Sequence, residues 1–148
     1  MADSDTLPPS IQTLLQRGIT QYRTDPAGAE FLFGFALSQA PDCLPLYRAL
    51  IKFYNRQRQF DAAYDMATQG MSVAARLASL PSDWQDWTPE MLEGKDASFA
   101  LLTLKAMAFL DLRRSNAEAS VALLEKLKLL DPSDGIGGSV VAALAESL

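Results

Sequence analysis

The chain has 148 residues, a net charge of −5 and an apolar fraction of 49%, values typical of a globular domain with a substantial core. The negative charge argues against bulk affinity for nucleic acid or for an anionic membrane surface. Because the chain has no histidine and a single cysteine, Cys43, it lacks the commonest catalytic base, and neither an intramolecular disulfide nor a cysteine-based zinc site can form.

The start of the chain does not resemble a targeting signal. The first ten residues, MADSDTLPPS, are acidic and have no apolar stretch, unlike a signal peptide. No apolar run along the chain is long enough to span a bilayer. We therefore expect a cytoplasmic protein that has no membrane partner and whose chain is frayed up to Thr6.

Prolines mark the ends of the first two predicted helices. Pro8 and Pro9 suit a first helical turn, where a missing N–H costs nothing. Asp25-Pro26 ends this helix and caps the next, which stops at Ala40-Pro41. Apolar residues at helical spacing support both helices: Leu14, Leu15, Gly18, Ile19 and Tyr22 on the first, and Phe31, Leu32, Phe35 and Ala36 on the second.

The stretch from Asp42 to Ala75 predicts two amphipathic helices joined by a short polar turn. The first of them is apolar on two sides, so we expect it to pack on two sides. The second starts near Phe60 and extends as far as Leu80. The residues of the first helix left for solvent are Arg48, Lys52, Asn55 and Arg56.

After Pro81 the helical pattern breaks, and both tryptophans lie in the break. Within it, Thr88-Pro89-Glu90 predicts one short helical turn. A further pair of helices begins near Asp96, and a capping box from Ser115 to Glu118 predicts the start of its second helix. That helix ends at Asp131-Pro132, and its apolar face is expected to include Val121, Leu124 and Leu127.

Residues 135–139, GIGGS, predict a break before a short closing helix. They lack the lysine of a phosphate-binding loop and follow no strand. No run of alternating apolar and polar residues is bounded by hairpin turns, so we expect an all-α protein. Met66, Met71 and Met107 lie on apolar helix faces and are expected to fill the core.

A sequence repeat links the first two helix pairs. The positions of Ala29 and Ala63 differ by 34 (63 − 29), and those of Ala36 and Gly70 keep the same interval (70 − 36). A unit of two helices with this period is the signature of tetratricopeptide repeats. The central pair resembles that family in its series of large and small sites: Tyr47, Leu50, Ile51, Tyr54, Phe60, Ala63 and Gly70.

The flanking repeats are less regular. In the first, Leu15 to Tyr22 match Tyr47 to Tyr54 at an interval of 32 (54 − 22), which predicts an inter-helix turn that is shorter by two positions. The third ends in EKLKLLDP, as the family does, and Ser120 replaces the expected alanine at an interval of 57 from Ala63 (120 − 63). A linker of about 23 residues therefore interrupts the array, since the period of such repeats is about 34.

The resemblance implies one domain, residues 1–148, folded as a right-handed superhelix of antiparallel helix pairs. Its repeats would cover about residues 10–41, 42–79 and 96–132. Residues 81–95 would form the linker, and residues 139–148 a capping helix.

The resemblance also implies that the first helix of each repeat lines a concave groove. Arg48, Lys52 and Asn55 would face that groove, and Lys105 would join them in one of two possible alignments of the third repeat. Whatever the family, the spacing of the first three residues places them on one stripe. Such a stripe suits the carboxylates of a partner, from acidic side chains or from its C-terminus. The alternative is an ordinary solvated helix face.

Trp84 and Trp87 have two interpretations. They form an aromatic anchor for a partner, or they fill the gap between the second and third repeats. The neighbouring Asp83 and Asp86 fit turn and cap positions better than an acid–base pair.

The resemblance implies a protein-interaction module, acting as an adaptor, scaffold or chaperone, rather than an enzyme, with no cofactor and no metal site. Three alternatives stay open. The first is a self-assembling structural protein, such as a homodimer formed through the long fourth helix or the C-terminal helix. The second is a small acidic chaperone of the bacterial secretion type. The third is an enzyme that uses carboxylates near the tryptophans.

Overall fold

The computed structural model describes residues 7–147, which form α-helices and no strand. The predicted all-α class is confirmed, whereas the frayed start expected up to Thr6 lies outside the described residues. None of the described helices is long and apolar enough to cross a membrane. The helices are α1 (Pro9–Gln21), α2 (Pro26–Gln39), α3 (Leu44–Arg56), α4 (Phe60–Leu77), α5 (Gly94–Arg113), α6 (Ala117–Leu130) and α7 (Gly138–Glu146), with 3-10 turns at Trp84–Asp86 and Pro89–Met91.

The helix ends predicted from proline are confirmed. Pro9 opens α1 and Pro26 opens α2, while the Asp25 carboxylate caps α2 by accepting from the Gly28 backbone N–H at 3.0 Å. The helix α2 stops one residue before Ala40, and α6 stops one residue before Asp131. Both stops precede a proline, because proline disfavours the helical conformation in the residue before it.

The described chain forms two compact units, one up to Met66 and one from Ala67, so that their boundary falls inside α4. In the first unit, Gly18 of α1 lies against Phe33 of α2. A Cβ at Gly18 would lie 2.5 Å from Phe33 Cε1, so the absence of a side chain lets the two helices approach. The core cluster of this unit comprises Ile11, Leu15, Ala29, Phe33, Ala36, Leu46, Leu50 and Phe53.

The second compact unit packs α6 against α5 and α7. Ser120 is fully buried, and its hydroxyl donates to the Ala108 carbonyl at 2.7 Å, which joins α6 to α5. A Cβ at Gly138, the first residue of α7, would lie 2.7 Å from Leu127 Cδ2 of α6. Small residues therefore set the close approaches of helices in both units.

The turns after α3 and α5 share one backbone geometry. Arg58 and Ser115 both have a φ of 60°, in the left-handed region. The next residue then donates its N–H to a carbonyl five residues back: Gln59 to Tyr54 at 2.9 Å and Asn116 to Asp111 at 2.7 Å, as in the Schellman motif. The positions of the two turns differ by 57 (115 − 58), the same interval that separates Ala63 from Ser120.

The predicted capping box at Ser115–Glu118 is wrong. The helix α6 begins after Asn116, which is its N-cap residue and whose side chain makes no capping hydrogen bond. Ser115 instead occupies the left-handed position of the turn that ends α5. The predicted apolar face of α6 is also wrong at Val121, which is 45% exposed, because the helix buries Ser120, Leu123, Leu127 and Leu130.

The first inter-helix turn is not shorter than the others. It spans four residues, 22–25, whereas the connections after α3 and α5 span three. The helix is shorter instead: α1 ends one residue before Tyr22, whereas α3 continues two residues beyond Tyr54. This difference of three residues, less the one extra residue of the turn, leaves the interval shorter by two (3 − 1). In α2, Phe31 and Phe35 lie on the solvent side and stack on each other, with ring centroids 6.4 Å apart.

Candidate binding groove

A groove of about 320 Å³ lies between α1 and α3 in the first compact unit. Leu15 and Ile19 of α1, with Tyr22 directly after the end of that helix, form one wall. The opposite wall is α3, which presents two parallel stripes to the groove. The inner stripe is Pro45, Ala49 and Phe53, and the outer stripe is Arg48, Lys52 and Arg56.

The floor of the groove is apolar. Leu15 and Phe53 meet there with Phe33 of α2, and all three side chains are buried. The rings of Phe33 and Phe53 pack edge to face with centroids 5.9 Å apart, which fixes the shape of the floor. Ile19, which lies on the α1 wall, is 46% exposed. The groove thus offers a ligand both a preformed apolar base and an accessible apolar wall.

The outer stripe carries positive charge that the first compact unit leaves unneutralised. Its three cations are exposed and four residues apart, so they recur about every 6 Å along α3. Within residues 7–147, neither Arg48 nor Lys52 has a carboxylate at ion-pair distance. The charge of Arg48, then partial burial and the charge of Arg56, lower the pKa of Lys52. A bound anion would relieve this repulsion.

One end of the groove is crossed by a hydrogen bond. Arg56 Nη1 donates to the Tyr22 hydroxyl at 2.9 Å, and the guanidinium lies 5.3 Å from the ring centroid. Arg23 Nε donates to the same hydroxyl at 3.0 Å. The hydrogen bond from Arg23, reinforced by the charges of Arg23 and Arg56, lowers the pKa of Tyr22 against the opposing effect of desolvation. The Tyr22–Arg56 bond joins the carboxyl ends of α1 and α3.

Two carboxylates of the first compact unit are engaged elsewhere. Asp25 caps α2 and also accepts from the Gln21 side chain at 3.0 Å. Glu30 accepts from the Tyr54 hydroxyl at 2.6 Å. Burial, together with this hydrogen bond and the charge of Glu30, raises the pKa of Tyr54 to about 12. These hydrogen bonds hold both carboxylates in place, so Asp25 and Glu30 contribute to the fold.

The structure places Arg48 and Lys52 together on the groove, whereas Asn55 is half-buried and is not among the described residues that line it. Arg56, one residue further along, completes the stripe. The spacing of four residues from 48 to 52 to 56 was the sequence signal for it. No spacing in the sequence predicts that Tyr22 lines the groove, because it reaches the groove from the end of another helix.

Lys105 lies on α5 in the second compact unit and has an internal partner. Its Nζ donates to the Ile136 carbonyl at 2.9 Å, in the segment between α6 and α7. The Asp131 carboxylate holds the same segment by accepting from the backbone N–H groups of Gly135 at 3.1 Å and Ile136 at 2.8 Å. The break predicted at residues 135–139 is confirmed only as far as Gly137, which lies in the left-handed region at φ 85°, because α7 starts at Gly138 and already includes Ser139.

The two tryptophans differ in environment. Trp87 is 1% exposed, and its indole N–H donates to the Pro81 carbonyl at 2.7 Å. Trp84, which opens a 3-10 turn, is half-buried. The Asp83 carboxylate caps this turn by accepting from the Gln85 N–H at 2.9 Å. Trp87 therefore contributes to the core of the second compact unit, and only Trp84 keeps an accessible side.

Among residues 7–147, no group of three or more histidine, cysteine or acidic side chains is arranged to hold a metal ion. Comparison of the chain with protein-family models, with curated proteins and with solved structures finds no match.

Proposed function

We propose that the chain is a protein-interaction module, and that the groove between α1 and α3 binds an acidic segment or the C-terminal carboxylate of a partner protein. The observation that carries this proposal is the juxtaposition of Arg48 and Lys52, which have no ion-pair partner among the described residues, with an apolar floor. Adaptor, scaffold and chaperone are all roles that such a module serves.

The architecture that we propose for this module is a tetratricopeptide-like array of helix pairs. Two observations support it. The connections after α3 and α5 have the same left-handed turn, and fully buried small residues, Ala63 and Ser120, follow these turns at matching positions. In such an array the groove would belong to a continuous concave surface lined by the first helix of each repeat.

The energetics of the groove favour an acidic ligand. Hydrogen bonds between charged partners contribute about 1.5–3 kcal/mol each when partly shielded from water. The cations sit on a helix whose other sides are packed, so little ordering is needed on binding. Repulsion from the net charge of −5 opposes association at long range, and salt screens both effects.

The test is a selection from a synthetic library of random heptapeptides with free carboxyl termini. We expect the wild-type chain to enrich peptides that contain Asp and Glu, and the enriched peptides to bind less tightly as salt is added. The double variant Arg48→Glu/Lys52→Glu should lose about tenfold or more in affinity, because two attractive contacts become repulsive. Its helical circular dichroism and melting temperature should be unchanged, since both side chains are exposed.

The matched control is Arg17→Glu/Lys128→Glu, which changes the net charge by the same amount at exposed helical positions outside this groove. It should leave peptide affinity nearly unchanged. If the library shows no enrichment of acidic residues, or if the two double variants bind alike, the groove is not the binding site.

Self-association is a second candidate function, favoured by one observation. Val140 and Leu144, one turn apart on α7, are both largely exposed. If α7 forms a homodimer interface, sedimentation equilibrium should show a dimer that Val140→Lys/Leu144→Lys converts to a monomer. A wild-type chain that sediments as a monomer at high concentration would remove this candidate.

A further inference from the structure

The two walls of the groove differ in chemistry. The outer stripe of α3 is a row of cations, Arg48, Lys52 and Arg56, whereas the facing wall of α1 offers Leu15 and Ile19. A ligand between them must therefore present negative groups to one side and apolar groups to the other. Side chains in an extended segment point alternately to opposite faces, so alternation along the sequence satisfies both walls at once.

The spacing of the wall residues agrees with an extended ligand. Cations four residues apart on a helix recur about every 6 Å, and every second side chain of a strand recurs at about 6.6–6.8 Å. On the opposite wall, Leu15 and Ile19 are also four residues apart. Acidic side chains at alternate positions of a strand would thus meet successive cations, and the intervening side chains would meet the exposed Ile19 and the apolar floor at the buried Leu15.

The extent of the groove along α3 sets the length of the segment. Its lining extends from Pro45 to Arg56, and the Tyr22–Arg56 hydrogen bond crosses one end. This distance corresponds to about 16 Å of helix, or about five residues of strand.

We propose that the groove binds an extended segment of about five residues in which acidic residues at the first, third and fifth positions alternate with large apolar residues. This inference rests on the proposed function and deepens it, because it specifies the pattern of the partner's sequence. The terminal carboxylate of the partner is not required, since three side-chain carboxylates already match the three cations.

The experiment is an NMR titration at low salt with peptides blocked at both ends by acetyl and amide groups, which removes terminal charges. The probes are Asp-Leu-Asp-Leu-Asp, its rearrangement Asp-Asp-Asp-Leu-Leu, and Glu-Leu-Ala-Ala-Glu-Leu-Ala-Ala-Glu, whose acidic residues match the cations only when it is helical. We expect the alternating peptide to bind about fivefold tighter than the rearranged one, with shifts on α1 and α3, and Arg48→Glu/Lys52→Glu to abolish its binding.

A pair of variants isolates the apolar wall. Ile19→Ser removes an exposed apolar side chain from the groove, and Val121→Ser removes one of equal exposure from α6, outside it. Ile19→Ser should reduce the preference for the alternating peptide, and Val121→Ser should not.

The outcomes separate the two proposals. If the rearranged or the helical peptide binds as tightly as the alternating one, and this binding still requires Arg48 and Lys52, the extended alternating ligand is wrong and the acidic-segment groove stands. If no acidic peptide binds the wild-type chain better than it binds the charge-reversed variant, both proposals fail together.

Discussion

Two basic side chains of the first compact unit differ from three of the second in what they contact. In the first, Arg48 and Lys52 extend to a groove without an ion-pair partner among the described residues. In the second, Lys105 donates to the Ile136 carbonyl at 2.9 Å and Lys126 to the Gln85 carbonyl at 2.7 Å, while Arg114 lies 3.3 Å from the buried Asp111 carboxylate. Residue type alone therefore does not identify a binding cation, because the partners within the chain decide what it can do.

The largest expected effect is a loss of unfolding free energy at buried small residues. Comparing one such site in each unit tests whether the two units pack their helices alike. Ala63→Leu in the first unit and Ser120→Leu in the second should each cost about 1–3 kcal/mol of unfolding free energy by overpacking, because both sites are fully buried. Ala62→Leu should cost less unfolding free energy, since Ala62 is only half-buried. Urea unfolding measures all three. Equal losses at residues 62 and 63 would show that the tight site in α4 has been misassigned.

A smaller effect tests the contrast between the basic residues directly. Lys105→Met should cost about 1.5 kcal/mol, because it removes a charged donor from the Ile136 carbonyl. Lys52→Met should stay within about 0.5 kcal/mol, as expected for an exposed side chain that has no such partner. Methionine preserves much of the apolar stem in both cases. The contrast breaks down if urea unfolding gives the two variants the same stability.

The smallest effect concerns the pairing of Tyr54 with Glu30 in the first unit. Because the folded-state pKa of Tyr54, about 12, exceeds the ordinary value near 10, the fold stabilises the protonated phenol. This contribution is complete below about pH 10 and is lost as the pH rises towards 12. Tyr54→Phe should therefore lower the melting temperature at pH 9 and reduce its further fall between pH 10 and 12. A parallel fall in wild type and variant would contradict the assignment.

Most helix ends could be predicted from the sequence because the physics of proline is local. Pro9 and Pro26 open helices, and the residues before Pro41 and Pro132 end them. The capping box failed because the residue types at Ser115 to Glu118 do not reveal that Ser115 adopts a left-handed conformation. That conformation depends on the bond from Asn116 back to Asp111, which belongs to the end of the preceding helix.

The groove could be predicted only in part. The periodicity of α3 places Arg48 and Lys52 on one face, but Asn55 and Arg56 lie on either side of that face, about 100° apart on a helical wheel. In the folded chain α1 lies against α3 so that Arg56, and not Asn55, lines the groove. Tyr22 from a second helix, and the distant Ile136 carbonyl that engages Lys105, depend on tertiary contacts that no spacing rule contains.

The left-handed turns at Arg58 and Ser115 also bear on how fast the chain folds. Each reverses the backbone within three residues and is closed by a hydrogen bond that spans only five. The helices on either side can therefore meet after a very short loop has closed, at little entropic cost. Helical proteins dominated by such local contacts fold in microseconds to milliseconds, so the α5–α6 hairpin, whose helices pack on each other, is suited to form early, before contacts distant in sequence.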